Sequence, residues 1–528
     1  MNKIKLTLLA LVLCGGSVAA QTVFDGELLT SKELSGTARY VGMGGALGAL
    51  GADISTMGSN PAGIGLYRSN DFATTFSFRS NEVKSKYDGN SYKADKNKFG
   101  LGTMGFVIST HLNDYGLKYL NFGFNYNRAS DFNRNFKSGG ILPFYTDQNG
   151  NKIPISINLI GANQANMASK DGYDIASLVE EGKTIFDNPN IGWLGGLIYE
   201  GVLIEKDENG YFDYLPQADY ELRSSERGGI NQYDFNISGN ISDRFFFGLT
   251  VGAYDINYRQ YTYYDEGYES NEYGLIHTNR EIDGSGVDFK LGAIFRPIES
   301  SPFRIGLAIH SPIYYNLTEY NDAMLESEIA TDRDNSNSEI LHSKIYTSDD
   351  LNGLPSAFDY KLRTPWKFNF SLGHNVGNTL ALGAEYEYQD YSKMHFKSDY
   401  GSSLNFTNDT RSMLEGVHTL KLGGEYRIVP EFAFRLGYNI QSAIFKDDAY
   451  KDFPGNSTIT DPQFMRLNDI RNTFTFGLGY SGQVFYTDLA FKFDHYKSEF
   501  KPFDHPELVA AQVTNNKSQI LLTLGVRL

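Results

Sequence analysis

The chain has 528 residues, a formal charge of −16 and one cysteine, with 54 glycines, 36 tyrosines and 37 phenylalanines. The acidic balance argues against a nucleic-acid partner, one cysteine permits no internal disulfide, and no stretch beyond the N-terminus is apolar for long enough to cross a bilayer as a helix. Abundant aromatic residues and glycines suit many strands and turns, and a large barrel can use a chain of this length as one domain.

Residues 1–20 read as a cleavable secretion signal. Lys3 and Lys5 give a positive start, Leu6, Leu8, Leu9, Leu11, Val12 and Leu13 a short apolar core, and Val18-Ala19-Ala20 the small residues that a signal peptidase needs. The mature chain is expected to begin at Gln21, and the loss of both lysines takes the formal charge from −16 to −18. The rival reading, a lipid on Cys14, puts Leu13 where a small residue is normally wanted. If the leader is removed, Cys14 leaves with it, and no thiol chemistry remains. Residues 21–71 precede the first strand and are rich in glycine. Their run of Gly42, Gly44, Gly45, Gly48 and Gly51 lacks the Lys-Ser/Thr of a phosphate loop.

From residue 72 onward, alternation dominates. Side chains of a strand point to opposite faces with period two. In 379–391, Leu380, Leu382, Ala384, Tyr386 and Tyr388 oppose Gly383, Glu385, Glu387 and Gln389; in 432–440, Phe432, Phe434, Leu436, Tyr438 and Ile440 oppose Arg435 and Asn439. Fourteen such segments are predicted, near 72–80, 99–110, 118–128, 231–240, 243–259, 284–296, 303–313, 364–374, 379–390, 416–428, 432–442, 471–480, 483–495 and 517–528. From the second strand on, short links (His111–Leu117, Ile241–Ser242, Pro297–Pro302, Asn375–Asn378, Val429–Glu431, Ser481–Gly482) alternate with long ones (129–230, 260–283, 314–363, 391–415, 443–470, 496–516); a further long one, 81–98, joins the first two strands. That parity is the signature of an all-β, transmembrane antiparallel β-barrel in the outer membrane of a Gram-negative cell, with short periplasmic turns and long external loops. Charges fall on the polar phase, where lumen water and opposite charges meet them instead of lipid. Trp366, Tyr388 and Tyr480 at strand ends fit interfacial girdles. The final Leu528 departs from the aromatic residue that usually ends such barrels.

The insertion 129–230 is predicted to hold helices at Tyr173–Phe186 and Ile191–Glu205. Trp193, Leu194, Leu197, Ile198 and Val202 would then form an apolar stripe at helical spacing. Two readings stand: a hydrophobic groove outside the barrel mouth that binds ligand through Trp193 and Leu197, or a stripe packed onto the rim.

Gly100-Leu101-Gly102-Thr103-Met104-Gly105 spells a dinucleotide fingerprint, but it runs into Phe106-Val107-Ile108 rather than into a helix, so its glycines are expected to allow a bend or bulge. The sequence has no Gly-x-Ser-x-Gly and no His-Glu-x-x-His, and an enzyme is not expected. His310 is expected to be a wet lumen residue rather than a metal ligand.

Glu33-Leu34-Ser35-Gly36-Thr37-Ala38-Arg39-Tyr40-Val41-Gly42-Met43-Gly44-Gly45-Ala46, then Asp53, then Asn60-Pro61-Ala62-Gly63-Ile64-Gly65 resembles the FadL/TodX family of outer-membrane transporters for hydrophobic compounds. The resemblance covers about residues 21–80. It implies a fourteen-stranded barrel with an N-terminal hatch at 21–71 inside the lumen, Asn60, Pro61 and Ala62 as its gating motif, and capture of a fatty-acid-like ligand by the external loops. It also implies a lateral opening beside a kinked third strand, here near 118–128, with Gly123 a candidate for the kink. Pro61 fixes its own backbone and keeps Asn60 out of helix; a hatch that only seals the pore is the other reading of this segment. Lys367, Lys421, Arg427 and Arg435 are predicted to face the lumen, where they either meet a ligand carboxylate or balance Glu385, Glu387 and Glu425.

The expectation is passive transport of long-chain fatty acids or similar hydrophobic molecules, with no cofactor or metal and outer-membrane lipid around a monomer. The alternatives are haem or porphyrin uptake, for which no paired axial ligands are apparent, and a structural or adhesive surface barrel.

Overall fold

Lipid outside and a crowded polar lumen inside explain most of what the strands do. The computed structural model describes residues 22–528 apart from 113–115, 147–149, 151, 216, 269–270, 331–338, 405–406, 451–463, 466–468, 504 and 506; the predicted leader, Cys14 included, lies outside the described residues. The wall is a closed antiparallel barrel of 14 strands. They are β1 (Asp71–Tyr87), β2 (Asn90–His111), β3 (Leu117–Asp131), β4 (Gln217–Ile241), β5 (Phe245–Tyr268), β6 (Tyr273–Phe295), β7 (Arg304–His310 and Tyr314–Ala330), β8 (Ser356–Arg363 and Lys367–Val376), β9 (Leu380–Asp390), β10 (Gly416–Val429), β11 (Phe432–Gln441), β12 (Arg471–Ser481), β13 (Phe485–Phe500) and β14 (Ala511–Arg527). β14 pairs back onto β1 from Asp71↔Arg527 to Lys86↔Gln512. Leu528 completes the closure, exchanging backbone hydrogen bonds of 3.0 and 3.1 Å with Asn70. No edge is left for lipid to meet.

β5 illustrates the physics. Phe245, Phe247 and Leu249 are exposed on its outer face, while Gly248, Thr250 and Gly252 are buried inside. Beyond Ala253 the chemistry inverts. Asp255 and Asn257 now face out, and Tyr254, Ile256, Tyr258 and Tyr264 are buried inside. The strand has left the membrane: water lies outside, and an apolar core fills the barrel. The predicted long links 81–98 and 260–283 are therefore mostly strand, the upper halves of two tall hairpins. The first turns at Asp88-Gly89, with φ of 47° and 74°, the left-handed pair of a tight hairpin.

Gly102 forms the expected bulge, since the β1–β2 register slips between Thr75↔Thr103 and Phe76↔Leu101. Gly123 is not a kink. It sits in regular register with Val107 on β2 and Asn236 on β4. The irregularities of β3 lie between Leu117 and Tyr119 and between Arg128 and Ser130, and the β2–β3 ladder stops at Thr103↔Asn127. Beyond it the chain turns inside, where Arg134–Gly140 pairs with β4. The wall between β2 and β3 is thus split above that level.

A second irregularity crosses β7, β8 and β9. The ladder registers on either side, His310↔Lys367 and Tyr314↔Arg363, put Pro312 opposite Pro365. Neither proline has an N–H to give. The gap is bridged by Ile313 N–H, which donates to Thr364 Oγ1 at 2.8 Å. At the same level β9 gives way to a turn and the short strand His395–Ser398, which pairs with the upper part of β8.

The insertion folds into a cap over the external mouth. Its helices are α3 (Ile157–Lys170), α4 (Ile175–Glu180) and α5 (Trp193–Glu200), so one helix was unforeseen and the two predicted ones are shorter. α4 is stopped at Gly182, with φ 69°, and α5 starts after Gly192 and ends at Gly201. The α5 stripe packs. Trp193, Leu194, Leu197 and Ile198 are essentially inaccessible within a core that includes Leu325 of β7 and Phe500 of β13, and the Trp193 indole N–H donates to the Phe186 carbonyl at 2.9 Å. Val202 lies just beyond the helix, half-buried.

Candidate functional site

The hatch begins with α1 (Val23–Thr30), closed at its start by a capping box between Thr22 and Asp25, and continues into α2 (Ala38–Gly42). Thr37 caps α2 and donates from Oγ1 to Asp53 at 2.8 Å; Asp53 in turn accepts from Ser55 N–H at 3.0 Å at the head of the turn Ile54–Gly58. Asn60 caps the next turn, Pro61–Leu66, accepting from Ala62 N–H at 3.2 Å, with Pro61 at the first position, where no N–H is required. Its amide also donates to the Gly48 carbonyl at 2.7 Å. The Pro61 carbonyl accepts from Ser238 Oγ at 3.1 Å. Asn60, Pro61 and Ala62 therefore form the joint by which the hatch closes on itself and on the wall.

The wall meets this backbone with glycine. On eight successive strands, β5 to β12, an inward glycine lies against the hatch: Gly248, Gly292, Gly306, Gly373, Gly383, Gly423, Gly437 and Gly477. A Cβ at Gly292 would overlap Asn60 Oδ1, one at Gly383 the Ala46 carbonyl, and one at Gly423 the Met43 carbonyl. Gly123 of β3 serves the same end, making room for Met57. His310 is buried, not wet, and its Nε2 donates to the Ser59 carbonyl at 2.7 Å.

Charges hold the hatch on both sides of the belt. Asp25 pairs with Arg280 at 2.7 Å, Glu33 with Lys517 at 2.8 Å and Arg39 with Glu425 at 3.2 Å. Lys32 Nζ donates to the Tyr254 hydroxyl at 2.9 Å. Burial pushes the Asp25 carboxyl up to about 6, against the pull of Arg280. Burial likewise pushes the Lys32 ammonium down to about 7. Lys421 pairs with Glu385 at 2.9 Å and with Glu387 at 3.2 Å, Lys367 with Glu387 at 3.3 Å, Arg427 with Glu425 at 3.4 Å, and Arg435 with Glu425 at 2.7 Å and Asp488 at 2.6 Å. The four predicted lumen cations thus balance lumen acids.

Between α1 and the wall lies a chamber of about 150 Å³. Phe24, Leu28, Phe132, Ile444 and Phe445 supply its apolar lining. Its cations are Lys32, Arg134, Arg280, Arg471 and Lys517; none of Lys367, Lys421 and Arg435 lines it. Arg134 is bidentate on Glu226, at 2.7 and 2.9 Å. Ser130, Asp131 and Phe132 line the side where β3 has parted from β2. Sequence reasoning missed these cations because Lys32 lies in the hatch, Arg134 and Arg280 in predicted loops, and Arg471 and Lys517 at the very ends of predicted strands, and nothing in the sequence brings them together. Trp193 and Leu197 lie in the cap core, and neither lines the chamber.

A family model described as BamG matches residues 213–446, under half of the chain. No curated protein matches. Among solved structures, a Pseudomonas aeruginosa FadL homologue matches at 13% identity over 94% of this chain and 99% of its own, with a TM-score of 0.51. A deltaS2 mutant of the TodX monoaromatic hydrocarbon channel matches at 12% identity over 94% of this chain and 100% of its own, also at 0.51. At such identities the likeness is one of fold.

Proposed function

Taking as premise an outer-membrane barrel of the FadL/TodX fold, we propose that this protein passes hydrophobic small molecules, long-chain fatty acids or compounds like them, with the hatch as its gate. The observation that carries this reading is the chamber, part apolar and part charged, with five cations among five carboxylates (Asp25, Glu27, Glu33, Asp131 and Glu226), set between α1 and the split in the wall between β2 and β3. A ligand entering there has a chain-like surface in Phe24, Leu28 and Phe445, and an acidic end would have to replace Asp25 on Arg280 or Glu33 on Lys517. The solved neighbours lend support as a FadL homologue and a monoaromatic hydrocarbon channel. Passage through the lumen requires the Asn60-Pro61-Ala62 joint to leave its glycine seats.

The second reading is a permanently closed barrel that serves as a surface or structural element. The tightness of the glycine belt favours it, because backbone seated against backbone on eight strands leaves little slack. One experiment separates the two. The chain with Glu33→Cys and Lys517→Cys, residues that pair across hatch and wall, is expressed in cells lacking their own fatty-acid transporter. Uptake of labelled fatty acid that stops on bridging the two thiols with a short bis-maleimide supports the gate. Uptake unchanged by the bridge removes the hatch from the path. No uptake by the wild-type chain at full surface expression favours the closed barrel.

A further inference from the structure

The irregularity across β7, β8 and β9 also shapes the outside of the wall. Above it, β8 carries Lys361 and Arg363, and the strand His395–Ser398 sets Lys397 directly opposite Lys361 and His395 directly opposite Arg363. Like charges in opposed positions of a ladder repel. Lys361 has one ion pair, with Asp399 at 3.1 Å, and Asp359 lies two residues away on the same face. Arg363 and Lys397 are exposed, and among the described residues neither has an ion pair. The His395 Nδ1 is buried without a hydrogen-bond partner. Burial and the positive charges of Arg363, Lys397 and Arg411 push its pKa below the ordinary imidazole value. Asp399 offsets part of this basic block, and among the described residues Arg363 and Lys397 are left without a carboxylate partner.

Directly beneath it the wall is apolar. Trp366 is exposed at the level of the seam. Below Trp366 runs an open groove of about 500 Å³ between Leu291, Leu307, Ile309, Phe368, Phe370 and Tyr386. The small Ala293 lies among them and leaves the groove its depth. Five residues of strand separate Arg363 from Phe368, about 15 Å along β8. Cations at headgroup level attract anionic lipid, and arginine grips phosphate through two parallel N–H groups. An anionic head over an apolar slot fits one class of occupant in one orientation.

We propose that the outer face of β7–β9 binds a phosphorylated acyl lipid of the outer leaflet, with its phosphate on Arg363, Lys397 and Lys361 and an acyl chain in the groove floored by Ala293. The site is independent of whether the lumen conducts anything. Trp366 stands between the two halves, and the only other tryptophan, Trp193, is enclosed in the cap.

The test places the full-length protein in phosphatidylcholine nanodiscs doped with lipid A carrying brominated acyl chains, and follows quenching of tryptophan fluorescence. Quenching should saturate at a low mole fraction of lipid A and vanish in Trp366→Phe. Arg363→Gln with Lys397→Gln should raise the half-saturating fraction by about tenfold, as expected for losing charge-assisted contacts. Ala293→Phe, which fills the groove, should weaken quenching with the basic block intact, so the test stands even if the double variant misfolds. Dephosphorylated lipid A that quenches equally well overturns the proposal. Displacement by an equal concentration of inorganic phosphate would also overturn it, reducing the site to a phosphate contact without the groove.

Discussion

At the scale of single residues, the hatch depends on atoms that are missing. Gly383→Ala and Gly423→Ala each push a methyl group into a hatch carbonyl, and overpacking of this kind costs about 1–3 kcal/mol. Both variants should raise tryptic cleavage at Lys32 and Arg39 in intact membranes. Gly100→Ala should not, since a Cβ there meets open space and its backbone needs no positive φ. Asn60→Ala removes a helix cap, worth about 1 kcal/mol, together with the bond to Gly48, and belongs with the disruptive pair. The importance of Asn60, Pro61 and Ala62 was legible because a motif marks them. The glycine belt was not: Gly383 and Gly423 each look like one small residue in a polar phase, and only the register across β9, β10 and β11 aligns them with Gly437.

At the scale of elements, α1 carries a buried carboxyl whose charged form is disfavoured. Asp25 has its pKa raised to about 6 from 3.8. Its contribution to docking is therefore fully present below 3.8 and is lost as the pH rises through about 6. Hydrogen exchange of the α1 amides, corrected for intrinsic rate, should show weaker protection near neutral pH than at about pH 4.5. Asp25→Asn should flatten that dependence; an unchanged slope would mean that another group controls it. In the cap, Trp193→Ala should cost about 3–5 kcal/mol of local stability. Its effect should stay in α3, α5 and their surroundings and spare the membrane strands. All fourteen strands were legible because lipid enforces alternation over each crossing. The helices of the insertion were harder to place. An apolar stripe gives the period of a helix, yet its ends here are set by Gly182, Gly192 and Gly201. α3 has a weaker signal, since nine of its fourteen residues are small or amide, among them Asn158, Gly161, Ala162 and Asn166.

At the scale of the whole molecule, the hatch plugs the lumen and the cap lies over its external mouth. In a planar bilayer the intact protein should show no steady conductance, whereas a chain lacking residues 22–66 should open a pore; a silent truncated barrel would mean that the cap seals by itself. The cap core and the chamber were not readable in advance because they join residues hundreds of positions apart, such as Val83, Leu325 and Phe500. The upper halves of the hairpins were missed for a different reason. There the alternation continues with its meaning reversed, apolar inward and polar outward, as at Tyr254 and Asp255. That reversal works as a waterline painted on every tall strand. Raising the barrel would lift first Ala253 and Val251 and then Leu249 into water, and sinking it would drown Asp255 and Asn257 in lipid. The protein accordingly has one depth at which it floats, set by the sequence alone, and the span between Phe245 and Ala253 measures the thickness of membrane it was built to sit in.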